Sequence, residues 1–379
     1  MPLPPGAVIL QVVPALHSGG VERGTVEMVQ AITDAGGRAL VASAGGRLVD
    51  AVTAAGGRHM TLPLASKNPV RLWRNAADLT QIVRAEQVQI VHARSRAPAW
   101  AAALATRRTG AHFVTTYHAP YGEGVPGKRA YNAVMARGER VIAISHFIAD
   151  LVHQRHGTPS ARLRVIPRGV DPAIFDPAAV TPVRLAKLRQ HWALPPGARI
   201  VLLPGRLSRW KGHDVLIEAM RFVRTQGVVC VFAGPLDARD GYVGELRRRA
   251  AQLGIADRIG FVDRCDDMPA GLLLAEIVVN ASTAPEGFGR TIIEAQAMRR
   301  PVIVTDHGGA AETVEHGLTG WRIAPGDLVA LAAAIDRVLA SPDRERNAVG
   351  ARARASVLAH YTTAAMQRAT LDVYAEILR

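Results

Sequence analysis

Residues 199–206 read RIVLLPGR, a short continuous apolar run that ends on a proline, a glycine and a cation. An apolar run without polar alternation is the pattern of a strand buried on both faces. Similar runs precede it: VILQVV (8–13), ALVAS (39–43), VQIVHA (88–93), HFVTTY (112–117), RVIAIS (140–145) and LRVIP (163–167). Others follow it: VVCVFA (228–233), RIGFV (258–262), EIVVNA (276–281) and PVIVT (301–305). Helical patterns separate them, which predicts parallel sheets covered on both faces. The series begins again at residue 199, so the expected fold class is α/β, with two doubly wound Rossmann-like domains in tandem.

The length agrees, since 379 residues exceed the ~100–200 residues of one domain. Seven prolines at 159, 167, 172, 177, 182, 195 and 196 mark the joint, because proline fixes φ and lacks an N–H. The expected boundaries are an N-terminal domain at 1–175 and a C-terminal domain at 176–360. A short helix is expected at 182–192. An amphipathic helix is expected at 361–379, with Met366, Leu371, Tyr374, Ile377 and Leu378 apolar.

The totals narrow the class. Hydrophobic residues make up 49% and charged residues 21%, as in a folded soluble protein. Cys230 and Cys265 give neither a disulfide framework nor a metal spacing and fit a reducing compartment. MPLPPGAVILQVV lacks a basic n-region and is read as a first strand rather than a signal peptide. No run reaches the ~18 apolar residues of a membrane span. Net charge is +14, with 20 Lys and Arg against 9 Asp and Glu in residues 1–170, and 26 against 23 in residues 171–379. A basic first half points to an anionic partner. Aromatics are 5% and do not interleave with the cations, which argues against stacking on nucleic acid.

Ligands of open parallel sheets bind at the carboxyl ends of strands, so candidate site residues belong in the loops there. PALHSGGVE (14–22) puts Gly19 and Gly20 between a strand and a helix, where backbone can approach an anion. It is not the dinucleotide fingerprint. PGRLSRWKGHD (204–214) places Arg206 and Lys211 at the next such turn, suited to a diphosphate, with His213 and Asp214 expected as caps. EGFGRTIIE (286–294) places Glu286 before a helix start near Gly289 or Arg290 and Glu294 one turn inside it. A carboxylate there accepts from paired hydroxyls, as on a ribose, or simply favours the helix N-terminus. DHGGAAE (306–312) repeats the design with Gly308, Gly309 and Glu312, and His118, Ser145 and His146 lie at strand ends in the first half.

PGRLSRWKG, EGFGRTIIEA and GGAAE at this spacing, with the HSGG loop and PRGVD at 167–171, resemble the retaining glycosyltransferases of family 4, of GT-B fold. The resemblance implies that Arg206 and Lys211 bind the donor diphosphate, that Glu294 holds the ribose and that Glu286 meets the sugar. It places Gly205, Val262, Gly287, Phe288, Gly289, Arg290 and Thr291 on the donor, Gly19 and Gly20 on the phosphates or acceptor, and His118 beside the transferred sugar. The catalytic set is then Glu286, His118, Arg206 and Lys211. The C-terminal helix of this fold crosses back to the N-terminal domain. Neither a metal nor a cofactor is implied. The implied donor is a UDP- or GDP-sugar, and the implied acceptor a saccharide or glycolipid such as lipopolysaccharide core. The implied place is cytoplasmic, at an anionic inner-membrane surface, with no nucleic acid. Gly/Pro-rich segment 119–129 is expected as a mobile acceptor-side loop. Arg168 departs from the family, where Asn commonly precedes Gly-Val-Asp. A sugar-nucleotide epimerase of the same architecture and a non-catalytic basic binding protein remain alternatives.

Overall fold

A computed structural model describes residues 2–17, 19–236 and 241–379. Ser18 of the HSGG loop lies outside the described residues. The chain forms two compact units, Met1–Arg168 with Thr363–Arg379, and Gly169–Thr362.

The first unit holds β1 (Val8–Val12), β2 (Arg38–Ser43), β3 (Arg58–Thr61), β4 (Ile90–Ala93), β5 (His112–Tyr117), β6 (Arg140–Ala143) and β7 (Leu163–Val165). They pair in the order β3-β2-β1-β4-β5-β6-β7, all parallel. The second unit holds β8 (Arg199–Pro204), β9 (Val228–Ala233), β10 (Ile259–Val262), β11 (Ile277–Asn280), β12 (Val302–Thr305) and β13 (Trp321–Ile323). Their order is β10-β9-β8-β11-β12-β13, again all parallel. Each sheet therefore reverses direction once, between β1 and β4 and between β8 and β11. Such a switch point opens a crevice at the strand ends.

Central strands β1, β4 and β11 are buried along their whole length, which is why they read as apolar runs. The sequence pattern missed β3 and β13. Both are edge strands, the first RHMT with no buried residue and the second the three-residue WRI, so neither needs a continuous apolar run. Helix Pro182–His191 forms inside the proline-rich joint because Pro182 occupies its first turn and the Thr181 hydroxyl accepts from Arg184 N–H.

Helix Thr363–Ile377 packs in the first unit, where Met366, Val373 and Tyr374 join a core with Ile9, Met28, Ile32 and Ile90. Its polar side is fixed as well. The Tyr374 hydroxyl lies 2.6 Å from His92 Nδ1, and His92 Nε2 lies 2.7 Å from the Thr116 hydroxyl. Glu376 pairs with Arg140 at 2.8 Å and Arg164 at 2.6 Å. No helix among the described residues is long and apolar enough to cross a membrane.

His92 and Tyr374 are fully buried, so removing one partner strands the other. Tyr374→Phe is expected to lower unfolding free energy by ~1–3 kcal/mol, the cost of an unsatisfied buried polar group. Urea denaturation reads it; an unchanged midpoint at unchanged slope would show that this bond adds nothing.

Candidate functional site

In the second unit the site grows from β8 and β11, the strands flanking the switch point. After β8 the chain turns at Gly205, whose φ is +133°, and runs through a 3-10 turn at Arg209–Lys211. Gly234, after β9, makes room for this turn: a Cβ there would lie 1.9 Å from the Gly205 carbonyl oxygen. Gly212 then adopts φ +70° against the end of β11, where a Cβ would fall 1.9 Å from the Ala281 carbonyl oxygen. Thr283 N–H donates to the Trp210 carbonyl at 2.9 Å. The loops after β8 and β11 are thereby stitched together, which carries Lys211 to the residues following β11.

Lys211 Nζ meets Glu286 Oε1 at 2.7 Å. Asn280 Nδ2 at 2.7 Å and the Ser282 hydroxyl at 2.5 Å donate to the same oxygen. Glu286 is 7% exposed. Burial pushes its carboxyl pKa up, but the Lys211 charge and the three hydrogen bonds outweigh that and leave it below the usual carboxylate value. Glu286 is thus an anion held by its neighbours. Lys211 Nζ also lies 4.6 Å from the centre of the Trp210 ring.

The β12 loop holds the backbone of the same residue. Gly308, at φ +66°, lies so close that a Cβ would come within 2.7 Å of the Glu286 carbonyl oxygen. Gly309 N–H donates to that oxygen at 2.8 Å. Glu312, grouped with these glycines in the sequence, is exposed.

Helix Arg290–Ala297 starts after Gly289, which is left-handed at φ 83° and caps without a side-chain bond. Its Cα approaches Ala310, where a Cβ would be 2.7 Å from the alanine Cβ. Phe288 is buried, its ring 5.8 Å from that of Tyr361. Arg290 Nε lies 3.3 Å from Glu294 Oε1, and Glu294 is 4% exposed. Gly287 and Thr291 are half-buried on either side. Val262 ends β10, and its carbonyl accepts from Gly234 N–H at 3.0 Å.

The second unit therefore joins Lys211 to Glu286 directly and Arg290 to Glu294 directly. Arg206 is exposed and makes no side-chain bond to any of them. Two expectations change. Gly212, not His213 or Asp214, is the cap of helix His213–Met220, and no side chain caps it. His213 is fully buried between Phe232 and Tyr242, where burial pushes its pKa down to about 4. Its ring belongs to the core, because glycine's left-handed turn directs it inward. Asn280 and Ser282 were not anticipated. Their signal was present: polar residues closing an otherwise apolar strand, VVNAS, at 278–282.

In the first unit Gly19, at φ 141°, and Gly20 are exposed at the start of helix Gly20–Asp34. His118 directly follows β5. Its Nε2 is buried and has no hydrogen-bond partner among the described residues. Burial, then the charges of Arg168, Arg94 and His92, hold its pKa well below the ordinary value, so the ring is neutral near pH 7. Ser145 caps helix His146–His156 by accepting from Ile148 N–H at 3.1 Å. Segment 119–129 is tied down by Arg155 donating to the Tyr121 carbonyl at 2.8 Å and Arg96 stacked 4.2 Å over the Tyr121 ring.

Two sequence families match the chain: Glycosyltransferase Family 4 over residues 18–174 and Glycosyl transferases group 1 over residues 186–356. Among solved structures, a glycosyltransferase from Rickettsia africae is 36% identical, with TM-score 0.90 and 99% of each chain covered. Anabaena HepE, solved with UDP and glucose, is 25% identical with TM-score 0.86, covering 98% of this chain and 100% of HepE. A D-inositol 3-phosphate glycosyltransferase of Salinispora tropica is 32% identical over 253 residues, 64% of this chain. The match spans about half of that curated relative, 52%.

The ion pair dictates a pH-dependent outcome. Glu286 titrates below its unfolded value of ~4.3, so the pair's stabilisation is complete above that pH and fades as pH falls through the folded value. Lys211→Met leaves the buried carboxylate unpaired and is expected to cost ~3–5 kcal/mol at pH 7. Its Glu286 pKa then lies above the unfolded value, so this variant regains stability as pH falls from that raised value towards ~4.3, a window in which the parent's pair is unchanged. Thermal melts from pH 7 to pH 4 with parallel slopes for both proteins would refute the pairing.

Proposed function

The chain belongs to the family 4, group 1 glycosyltransferases, and from that premise we propose that it transfers a hexosyl group from a nucleoside-diphosphate sugar to a hydroxyl of a saccharide or glycolipid. The reading rests on the Lys211–Glu286 pair at the β8/β11 switch point, beside the start of helix Arg290–Ala297. A cation and a helix N-terminus at one strand end are what a diphosphate needs. Exposed Arg206 and anchored Lys211 stabilise the charge that grows on the leaving phosphate. Helix amides near Thr291 receive a phosphate oxygen, with Phe288 and Gly289 amides on sugar hydroxyls. Glu294 accepts from the ribose hydroxyls.

Glu286 serves as a held anion facing the sugar rather than as a nucleophile. The reaction retains configuration, by departure of the phosphate and attack of the acceptor on the same face of the sugar. No metal is required, the two cations supplying its electrostatic work. In the first unit, Gly19, Gly20 and His118 are assigned to substrate from the family resemblance, His118 as a neutral ring.

HepE was solved with UDP, which favours a uridine donor; a guanosine donor is the other arm of the test. The excess of 20 cations over 9 anions in residues 1–170 favours an anionic acceptor or surface, such as lipopolysaccharide core at the cytoplasmic membrane face. The Salinispora relative's name likewise gives a phosphorylated acceptor.

A thermal-shift panel of UDP- and GDP-sugars tests the donor, since ligand at 100 times its Kd stabilises by ~2.7 kcal/mol. Transfer from the selected donor is expected to be unaffected by EDTA. Arg206→Ala is expected to melt like the parent and lose ~100-fold or more in kcat. No shift with any donor, or full turnover in Arg206→Ala, would overturn the assignment; interconversion of free donor without transfer would favour an epimerase.

A further inference from the structure

Beneath the Gly19–Gly20 turn lies a polar scaffold that the proposed chemistry leaves unused. Arg168 follows β7 by three residues and is 5% exposed. Its guanidinium donates to the Gly20 carbonyl at 2.5 Å. It also lies flush against Gly24, one helical turn on, where a Cβ would stand only 1.7 Å from Arg168 Nη2. Arg94, 3% exposed, donates to the Gly24 carbonyl at 3.1 Å and to Gln11 Oε1 at 2.7 Å. Gln11 Nε2 in turn donates to the Thr25 carbonyl at 3.1 Å. Side chains from β1, from the end of β4 and from beyond β7 thus grip three carbonyls of one helix start.

The arrangement is specific in two ways. Glycine at 24 is required for space, since its φ is not in the left-handed region. The gap it leaves is filled by the far end of a side chain brought from 144 positions along the chain. Burying a guanidinium costs several kcal/mol unless its bonds are well made, so a stability role alone would be better served by an apolar residue. Fixing one carbonyl of a turn, by contrast, fixes the direction of the amides around it.

We propose that Arg168 is a positioning residue: through Gly24 and the Gly20 carbonyl it holds the Gly19–Gly20 turn in the shape that receives the donor phosphates. This rests on the reading that the turn meets the donor. Arg168 itself touches no substrate. The cation that departs from the family pattern at PRGVD therefore acts on a segment almost 150 residues earlier.

Three variants of the full chain separate the possibilities, each measured with the donor that the thermal-shift panel selects. Gly24→Ala puts a methyl where the Arg168 guanidinium lies, and only that flexible side-chain end has to move. It is expected to raise the donor KM about tenfold while kcat changes less, with Tm within ~4 °C of the parent. Arg168→Ala should match it, Arg168→Lys should recover part of the loss, and the Gly24→Ala/Arg168→Ala double variant should be no worse than either single, because both break one contact. Gly20→Val tests the premise separately, since a Cβ at Gly20 meets nothing within 4 Å. A raised KM in Gly20→Val with parental KM in both Gly24→Ala and Arg168→Ala overturns the positioning role. A parental KM in Gly20→Val removes the premise and the role with it. A fall in Tm without any change in KM would reduce Arg168 to a structural part.

Discussion

Glu286 is a carboxylate taken out of water and kept charged. Three donors from three different positions reach one of its oxygens: Lys211 from the β8 loop, Asn280 from the end of β11 and Ser282 just beyond. An unpaired carboxylate there would take up a proton. With the three donors it remains an anion, and Lys211 is held at a fixed place in return. The rest of the second unit's strand-end architecture serves this contact. Gly212 lets the β8 loop close on Ala281, and Gly308 and Gly309 let the β12 loop close on the Glu286 backbone. Glycine appears where backbone must touch backbone.

The same economy of space governs the first unit, with the charges reversed. There the buried groups are cations, Arg94 and Arg168, and their acceptors include main-chain carbonyls of a helix start. Their field, after burial, keeps the His118 ring neutral. A neutral imidazole can accept or donate one hydrogen bond near a reacting sugar but brings no charge. Charge stabilisation in the proposed reaction accordingly falls to Arg206 and Lys211.

Much of this was legible beforehand. Central strands announce themselves because burial on both faces allows no polar alternation, and the restart at RIVLLP separates two sheets. Strands β3 and β13 were invisible, since short edge strands that carry exposed residues need no continuous apolar run. Lys211 and Glu286 could be named as candidate site residues from PGRLSRWKG and EGFGRTIIE. Their 2.7 Å contact could not, because 75 positions separate them and only the pairing of β8 with β11 brings their loops together.

The sequence by itself determined the fold class, the family and the strand ends that carry the candidate site residues, since these depend on local pattern: apolar runs, glycines after strands, carboxylates at a helix start. Tertiary structure alone decided who pairs with whom. It turned His213 from a cap into a core ring, made Asn280 and Ser282 partners of Glu286, and gave Arg168 a place against Gly24. Each of those outcomes depends on burial and on distance across the sheet, and neither quantity is a property of neighbouring residues in a chain.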